Sequence, residues 1–210
     1  MKRIGFAIVC ILISFPLAAF STMEADFGLL WMGNTEVESA PSPLITTVGA
    51  SVPFPLPGRF GFAADLTLFG QPYLLTDEGR AVPAEIEYRE VLVLGMALNP
   101  YFTFDLFTSE KISLAVLASP SFIFRIPTIA WDSGGENRGD MASYLFGSGR
   151  YIFPALGVSG VWGWFPRLPI TFKLVSFFPL FHLWDGEGLP FRDQLMIQVS
   201  FGFLFSTKKK

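Results

Sequence analysis

Residues 194–205 read QLMIQVSFGFLF, and the alternation in that stretch decides the fold. Leu195, Ile197, Val199, Phe201, Phe203 and Phe205 fall on one face of an extended strand, and Gln194, Met196, Gln198, Ser200, Gly202 and Leu204 fall on the other. A period of two argues for a strand and against a helix. A strand half-buried in a soluble core has this pattern, and so does a membrane-spanning strand with lipid on one side and a narrow lumen on the other. Tilted by about 45°, the segment from Leu195 to Phe205 covers roughly 25 Å, the height of the apolar band of an outer-membrane barrel. The choice depends on whether the rest of the chain supplies enough similar strands to close a sheet.

The 210-residue chain is 51% hydrophobic and 16% charged, with 24 Phe and 20 Gly. It is too apolar for an ordinary soluble domain, and rich in apolar residues even for a membrane barrel, whose inward side chains are usually polar. Part of the excess lies at the N-terminus. Lys2 and Arg3 precede an apolar run from Ile4 to Phe20, with the small residues Ala19 and Ser21 at its end, the pattern of a secretory signal peptide cut after Ser21. The run is long enough for an uncleaved anchor, but Pro16 and the small residues after it fit a cleavage region better. Cys10, the only Cys, sits inside the run rather than at its end, which is not a lipoprotein position. Residues 1–21 carry two basic and no acidic side chains, so their removal takes the net charge from −3 to −5 and takes away the only thiol. The exported chain has no disulfide and no basic patch for nucleic acid.

Seven further alternating stretches precede the last one. Asp26–Gly33 sets Phe27, Leu29 and Trp31 against Asp26, Gly28, Leu30 and Met32. Residues 44–54 and 60–68 form a hairpin about Pro55-Leu56-Pro57-Gly58. The fourth stretch sets Leu92, Leu94, Leu98, Phe102 and Phe104 against Arg89, Gly95, Asn99, Tyr101 and Asp105, and keeps its phase through Asn99-Pro100. Ile112 to Arg125 follows a tight turn at residues 108–111; a sixth strand is expected from about Ser143 to Phe165, a seventh from Ile170, and the eighth is the opening stretch. Connections one, three, five and seven are long and polar, while two, four and six are short turns. This sorting fits an up-and-down membrane barrel with its long loops on one side and both chain ends on the other. Trp162, Trp164, Phe104 and Phe203 fall near the short-turn ends, where an interfacial aromatic girdle belongs. Pro100, Pro120, Pro154 and Pro179 fall inside expected strands and require bulges or local irregularity. A helical membrane protein is the competing architecture, but the uncharged run Val91–Phe104 is shorter than the ~20 residues of a spanning helix.

In this architecture, over residues 25–205, the chain resembles the small eight-stranded outer-membrane proteins of the OmpA-barrel, OmpX and OmpW type. The segment Ser200-Phe201-Gly202-Phe203-Leu204-Phe205 looks like the aromatic C-terminal signal read by the barrel-assembly machinery, although Ser206-Thr207-Lys208-Lys209-Lys210 follows it. The expectation is therefore an all-β chain: a signal peptide at 1–21, a transmembrane eight-stranded antiparallel barrel at 22–205 and a basic periplasmic tail at 206–210. The resemblance implies the bacterial outer membrane, reached by Sec export, with lipid and lipopolysaccharide or another glycolipid as surroundings.

Two functional readings follow: a structural protein or narrow channel for small solutes, and a surface adhesin acting through its outer loops, residues 127–142 above all. For the first, Asp65, Asp105 and Lys173 are expected in the lower lumen, Glu87, Arg89 and Arg125 towards its upper end, and Gln198 on the lumen face of the last strand. Such groups fill small barrels as structural plugs or line a gated path. For the second, Arg138-Gly139-Asp140, a tripeptide known as an integrin-binding sequence, lies in the longest expected loop and implies a host surface protein as partner. Enzymes of lipid A chemistry occur on this fold, but His182 is the only His and has no Ser at a matching spacing. No metal spacing, phosphate loop or nucleotide motif is present, so no cofactor or metal is expected.

Overall fold

The computed structural model describes residues 22–36, 40–131, 134–164, 168–186 and 188–206. The expected signal peptide at 1–21 and the lysines of the tail lie outside them. Nine strands form one antiparallel sheet: β1 Thr22–Met32, β2 Leu44–Pro55, β3 Phe60–Leu75, β4 Ala81–Pro83, β5 Val91–Thr108, β6 Ile112–Ala130, β7 Ile152–Trp162, β8 Ile170–Phe177 and β9 Met196–Ser206. Eight of them are staves, because each pairs with a neighbour on both sides and β9 returns to β1. That closing seam runs from Thr22↔Ser206 to Met32↔Met196, so the stretch that opened the reading closes the barrel and leaves no free edge. The ninth strand, β4, is three residues long and pairs with the end of β3, within the second long connection.

The faces are as the alternation requires. On β9, Met196, Gln198, Ser200 and Gly202 are buried in the lumen, while Ile197, Phe201, Phe203 and Phe205 are exposed on the outside. Exposed Phe27, Leu29, Val48, Phe102, Leu156 and Leu174 continue the outer belt around the wall, an apolar surface that water does not stabilise and lipid does. At the short-turn end Phe60 and Phe104 pack at 5.3 Å, Phe172 and Phe201 at 5.6 Å, and Trp162 and Trp164 edge-to-face at 5.8 Å. These pairs form the lower aromatic girdle.

Three expectations need correction. Strand one begins at Thr22, four residues early, which adds Glu24 to the lumen. The fifth connection is not a Gly-rich loop: β6 continues to Ala130, and Gly134–Phe146 forms an α-helix, α1, before the sixth stave starts at Ile152 rather than Ser143. The helix buries Met141 and Leu145 against the tall side of the barrel, where packing outweighs the Gly-rich start of the segment. Pro179 lies past the end of β8, at the start of a single 3-10 turn, Leu180–Leu183.

The other in-strand prolines are grouped. The β5–β6 ladder is interrupted between Leu98↔Phe122 and Phe102↔Ala118, the segment that holds Pro100 on one strand and Pro120 on the other, and Pro120 in turn faces Pro154 on β7. These three missing donors thus fall at one place in the wall, while Pro53, Pro55 and Pro72 lie elsewhere in β2 and β3. Near Pro127 the register shifts by one residue, and Thr128 Oγ1 donates to Leu92 O at 2.8 Å, replacing a ladder bond at the bulge.

The interior is divided along its length. Towards the long-connection end Leu30, Met32, Phe69, Tyr73, Val93, Phe153, Phe177 and Met196 form an apolar core, which accounts for the composition being so apolar for a barrel. Phe69 lies over Gly95, its register partner: a Cβ on Gly95 would come within 2.1 Å of the ring. Gly95→Val is therefore expected to displace Phe69 and cost about 1–3 kcal/mol of overpacking. Urea unfolding of the detergent-folded barrel measures it, and an unchanged midpoint contradicts the close packing of Phe69 on Gly95.

Candidate functional site

Below the apolar core, the lumen holds one ion cluster built by strands far apart in sequence. Lys173 Nζ, from β8, donates to Asp65 Oδ2 of β3 at 2.8 Å and to Asp26 Oδ2 of β1 at 3.1 Å, and lies 3.2 Å from Glu24 Oε1. Asn99 Nδ2 donates to Asp65 Oδ1 at 2.8 Å, and Thr171 Oγ1 donates to Glu24 Oε1 at 2.7 Å. All are buried. Asp26 fits because its neighbour on β2 is Gly49, where a Cβ would lie 2.6 Å from Asp26 Oδ1. Of the expected lumen residues, Asp65 and Lys173 meet here; Gln198 is buried on the same inner face but is not bonded to the cluster.

Arg125 is also in the lumen, but higher and apart. Its guanidinium donates to Gln194 Oε1 at 2.6 Å and to Arg150 O at 3.0 Å, and it lies 5.5 Å from the Phe153 ring centre. Above it the barrel is closed. Met141 and Leu145 of α1 and Phe181 of the 3-10 turn are essentially fully buried, and Phe153 meets Phe181 edge-to-face at 5.5 Å. At the opposite end a blind vestibule of about 220 Å³ opens among the short turns, with Lys173 and Glu24 in its lining and Tyr101, Ser51 and Asp105 beside them.

A second network sews the long connections together. Asp193, fully buried, accepts from Thr35 N at 3.2 Å, Thr35 Oγ1 at 2.9 Å and Arg80 Nη2 at 3.2 Å, while Arg80 Nη1 also reaches Glu36 Oε2 at 3.1 Å. Glu90 Oε2 accepts from Leu75 N at 3.1 Å and from Asn137 Nδ2 of α1 at 3.0 Å. Arg150 lies 3.9 Å from the Tyr144 ring centre and 3.8 Å from Asp185. Gln194, which holds Arg125, adopts a left-handed φ of 59°, strain that the surrounding bonds over-determine.

The remaining expected residues lie elsewhere. Glu87 and Arg89 are exposed, in and just after a 3-10 turn outside the barrel, Ile86–Tyr88, and Arg89 lies 5.1 Å from the Trp131 ring centre. They were assigned to the lumen by extending the β5 alternation upward, but β5 starts at Val91. Asp105 points into the vestibule, half-buried and outside the Lys173 cluster. Arg138, Gly139 and Asp140 are exposed on α1 rather than in a loop. His182 Nε2 lies 2.9 Å from Asp193 O, and Nδ1 lies 3.9 Å from Asp185 Oδ2. Among the described residues no group of three or more His, Cys, Asp or Glu is arranged to hold a metal ion. The sequence reading missed Glu24, although it continues the inward phase two residues before Asp26. It had no signal for Arg80 or Asp193, whose pairing spans 113 residues.

No family model and no curated protein matches the chain. Solved structures do. Neisserial surface protein A (NspA) superposes with a TM-score of 0.52 at 11% identity, covering 88% of this chain and 96% of that one. The Yersinia pestis outer membrane protein Ail and the outer membrane enzyme PagL each give 0.43 at 9% identity, covering 88% of this chain and 98% of theirs. The fold is that of the small eight-stranded outer-membrane barrels.

Proposed function

We propose that this chain is a bacterial outer-membrane protein of the sealed kind, which spans the membrane without a through path and acts by the surface its long connections build outside the cell. The observation that carries this reading is the filled outer half of the lumen. Met32, Phe153, Phe177, Phe181 and Met196, essentially fully buried, form one core with Met141 and Leu145 of α1, and below it the Lys173 cluster is bonded across the barrel. A solute path would have to displace both layers. The narrow-channel reading is therefore set below the surface-binding one.

The apolar belt is the part that meets lipid and, in the outer leaflet, lipopolysaccharide or another glycolipid. The outer face differs from the rest of the surface in charge: each of the four long connections carries more acidic than basic residues, whereas the short turns carry Arg59, Lys111 and Arg167 against Glu110. Long-range attraction thus favours a basic partner, a host surface protein among them. Binding through Arg138-Gly139-Asp140 as a displayed loop does not fit. On a helix of 3.6 residues per turn, Arg138 and Asp140 point roughly 200° apart. In this reading His182 is a latch residue rather than a base, since its ring is engaged by Asp193 O and set against Asp185.

Reconstitution into planar bilayers tests the sealed lumen. We expect no steady channel events at moderate voltage, with insertion confirmed by heat-modifiable mobility. A reproducible, ion-selective conductance overturns the reading.

A further inference from the structure

We propose that the vestibule at the short-turn end is a binding site for a small aliphatic ammonium compound, one that carries one or two primary ammonium groups on a short apolar linker. Only the direction of approach, from the periplasm, rests on the membrane orientation proposed above.

The first argument is charge. Glu24 and Lys173 line the vestibule, with Asp26 and Asp65 behind them on Lys173, and Asp105 lines it as well. Three carboxylates therefore share one ammonium, and the fourth, Asp105, stands apart from it. Asp105 takes part in no ion pair among the described residues, and Asp26 Oδ1 is buried with no donor. Inside a narrow protein wall surrounded by hydrocarbon, unbalanced negative charge is costly, and a cation entering from water relieves it. The second argument is independent of the acids. Tyr101 is 3% exposed and lines the same space, its hydroxyl lies within electrostatic reach of Asp65, Lys173, Asp26 and Glu24, and it has no hydrogen-bond partner among the described residues. Ser51, equally buried and also in the lining, has none either. Two hydroxyls that face one space without a protein partner leave a donor and acceptors free there for a polar group other than water.

The shape favours an organic cation over a metal. Lys173 already occupies the focus of Glu24, Asp26 and Asp65, the position a metal would take, and the described residues offer no three-ligand group. The lining also includes Ala63, Ala115, Leu117 and Leu204, apolar surface that suits methylene groups and not a hydrated ion. The Tyr101 ring adds a face on which an ammonium is stabilised. Asp105 lies four positions from Tyr101 on the inward face of β5, so an ammonium beside Asp105 sits at a different depth from the Lys173 cluster.

Calorimetric titration of the intact, detergent-folded chain with putrescine is the test, with 1,4-butanediol, of like length and no charge, as control. Saturable one-to-one binding of putrescine and none of the diol is expected. Asp105→Asn and Tyr101→Phe are each expected to weaken binding about tenfold, which is 1.4 kcal/mol. Both variants must keep heat-modifiable mobility, which separates a binding loss from a folding loss. Absence of saturable heat with putrescine overturns the proposal, as do equal binding of the diol, unchanged affinity in Asp105→Asn, and displacement by NaCl at concentrations equal to putrescine. None of these outcomes bears on whether the lumen conducts.

Discussion

Replacing Lys173 by Met is expected to leave the chain unable to form a stable barrel. The side chain keeps its length and apolar stem, so packing changes little, but the ammonium that bonds Asp26 and Asp65 and lies beside Glu24 is gone. Removing one partner of a buried ion pair typically costs about 3–5 kcal/mol, because the other charge is left without compensation. Here three carboxylates are left together, each contributing repulsion as well as lost attraction. Such a loss is a large part of the stability of a chain this size. The measurement is urea-dependent folding into detergent, read by heat-modifiable mobility and far-UV circular dichroism. The triple variant Lys173→Met, Asp26→Asn, Asp65→Asn is expected to recover much of the loss, since it removes two of the three charges that Lys173 holds and leaves Glu24 its Thr171 donor. A single variant that folds within about 1 kcal/mol of the parent would show that the cluster does not hold the staves together.

The contrast between this cluster and the rest of the molecule shows what one sequence discloses. Alternation is a local signal with one consequence, so the faces of β2, β3, β5 and β9 were legible residue by residue, and so was the sorting of long and short connections. Lys173 and Asp65 were placed correctly in the lower lumen for the same reason. Their bonding was not legible, because the partners sit 108 residues apart and meet only when the sheet closes. Where a segment leaves the sheet, the period stops carrying information. The rule that placed Asp65 sent Glu87 and Arg89 into the lumen, since extrapolating an alternation past Val91 assumes a strand where a 3-10 turn had already formed. In the same way Gly134-Gly135 read as loop, while Met141 and Leu145, four apart, carried a faint helical signal that burial under the barrel rim made decisive. The apolar composition, high for a barrel, follows from the same rim: a lumen filled by a packed core needs fewer polar inward residues than one open to water.

That closed rim depends on one carboxylate, and Asp193→Ala is expected to release the outer face while sparing the barrel. Asp193 accepts bonds from Thr35 in the first long connection and Arg80 in the second, and its backbone carbonyl meets His182 in its own connection. Three of the four long connections are therefore fastened at one buried point. Alanine leaves Arg80 with Tyr144 of α1 and with Glu36, about a third exposed and weaker for it, and opens a gap beside a buried guanidinium. The loss of about 3 kcal/mol falls on local opening and not on the strand ladder, because none of the bonds removed belongs to a stave pair. Amide exchange in residues 33–36, 76–80 and 180–186 should accelerate by about two orders of magnitude, the equivalent of that loss, while amides of β1, β8 and β9 keep their protection. Heat-modifiable mobility should persist. If the surface reading of function is right, this variant should also lose affinity for a basic surface partner although every exposed charge is retained, because a released face no longer presents those charges in one arrangement. Unchanged exchange in the three connections would contradict the fastening role of Asp193. Faster exchange throughout the staves would show instead that the rim and the wall unfold as one unit.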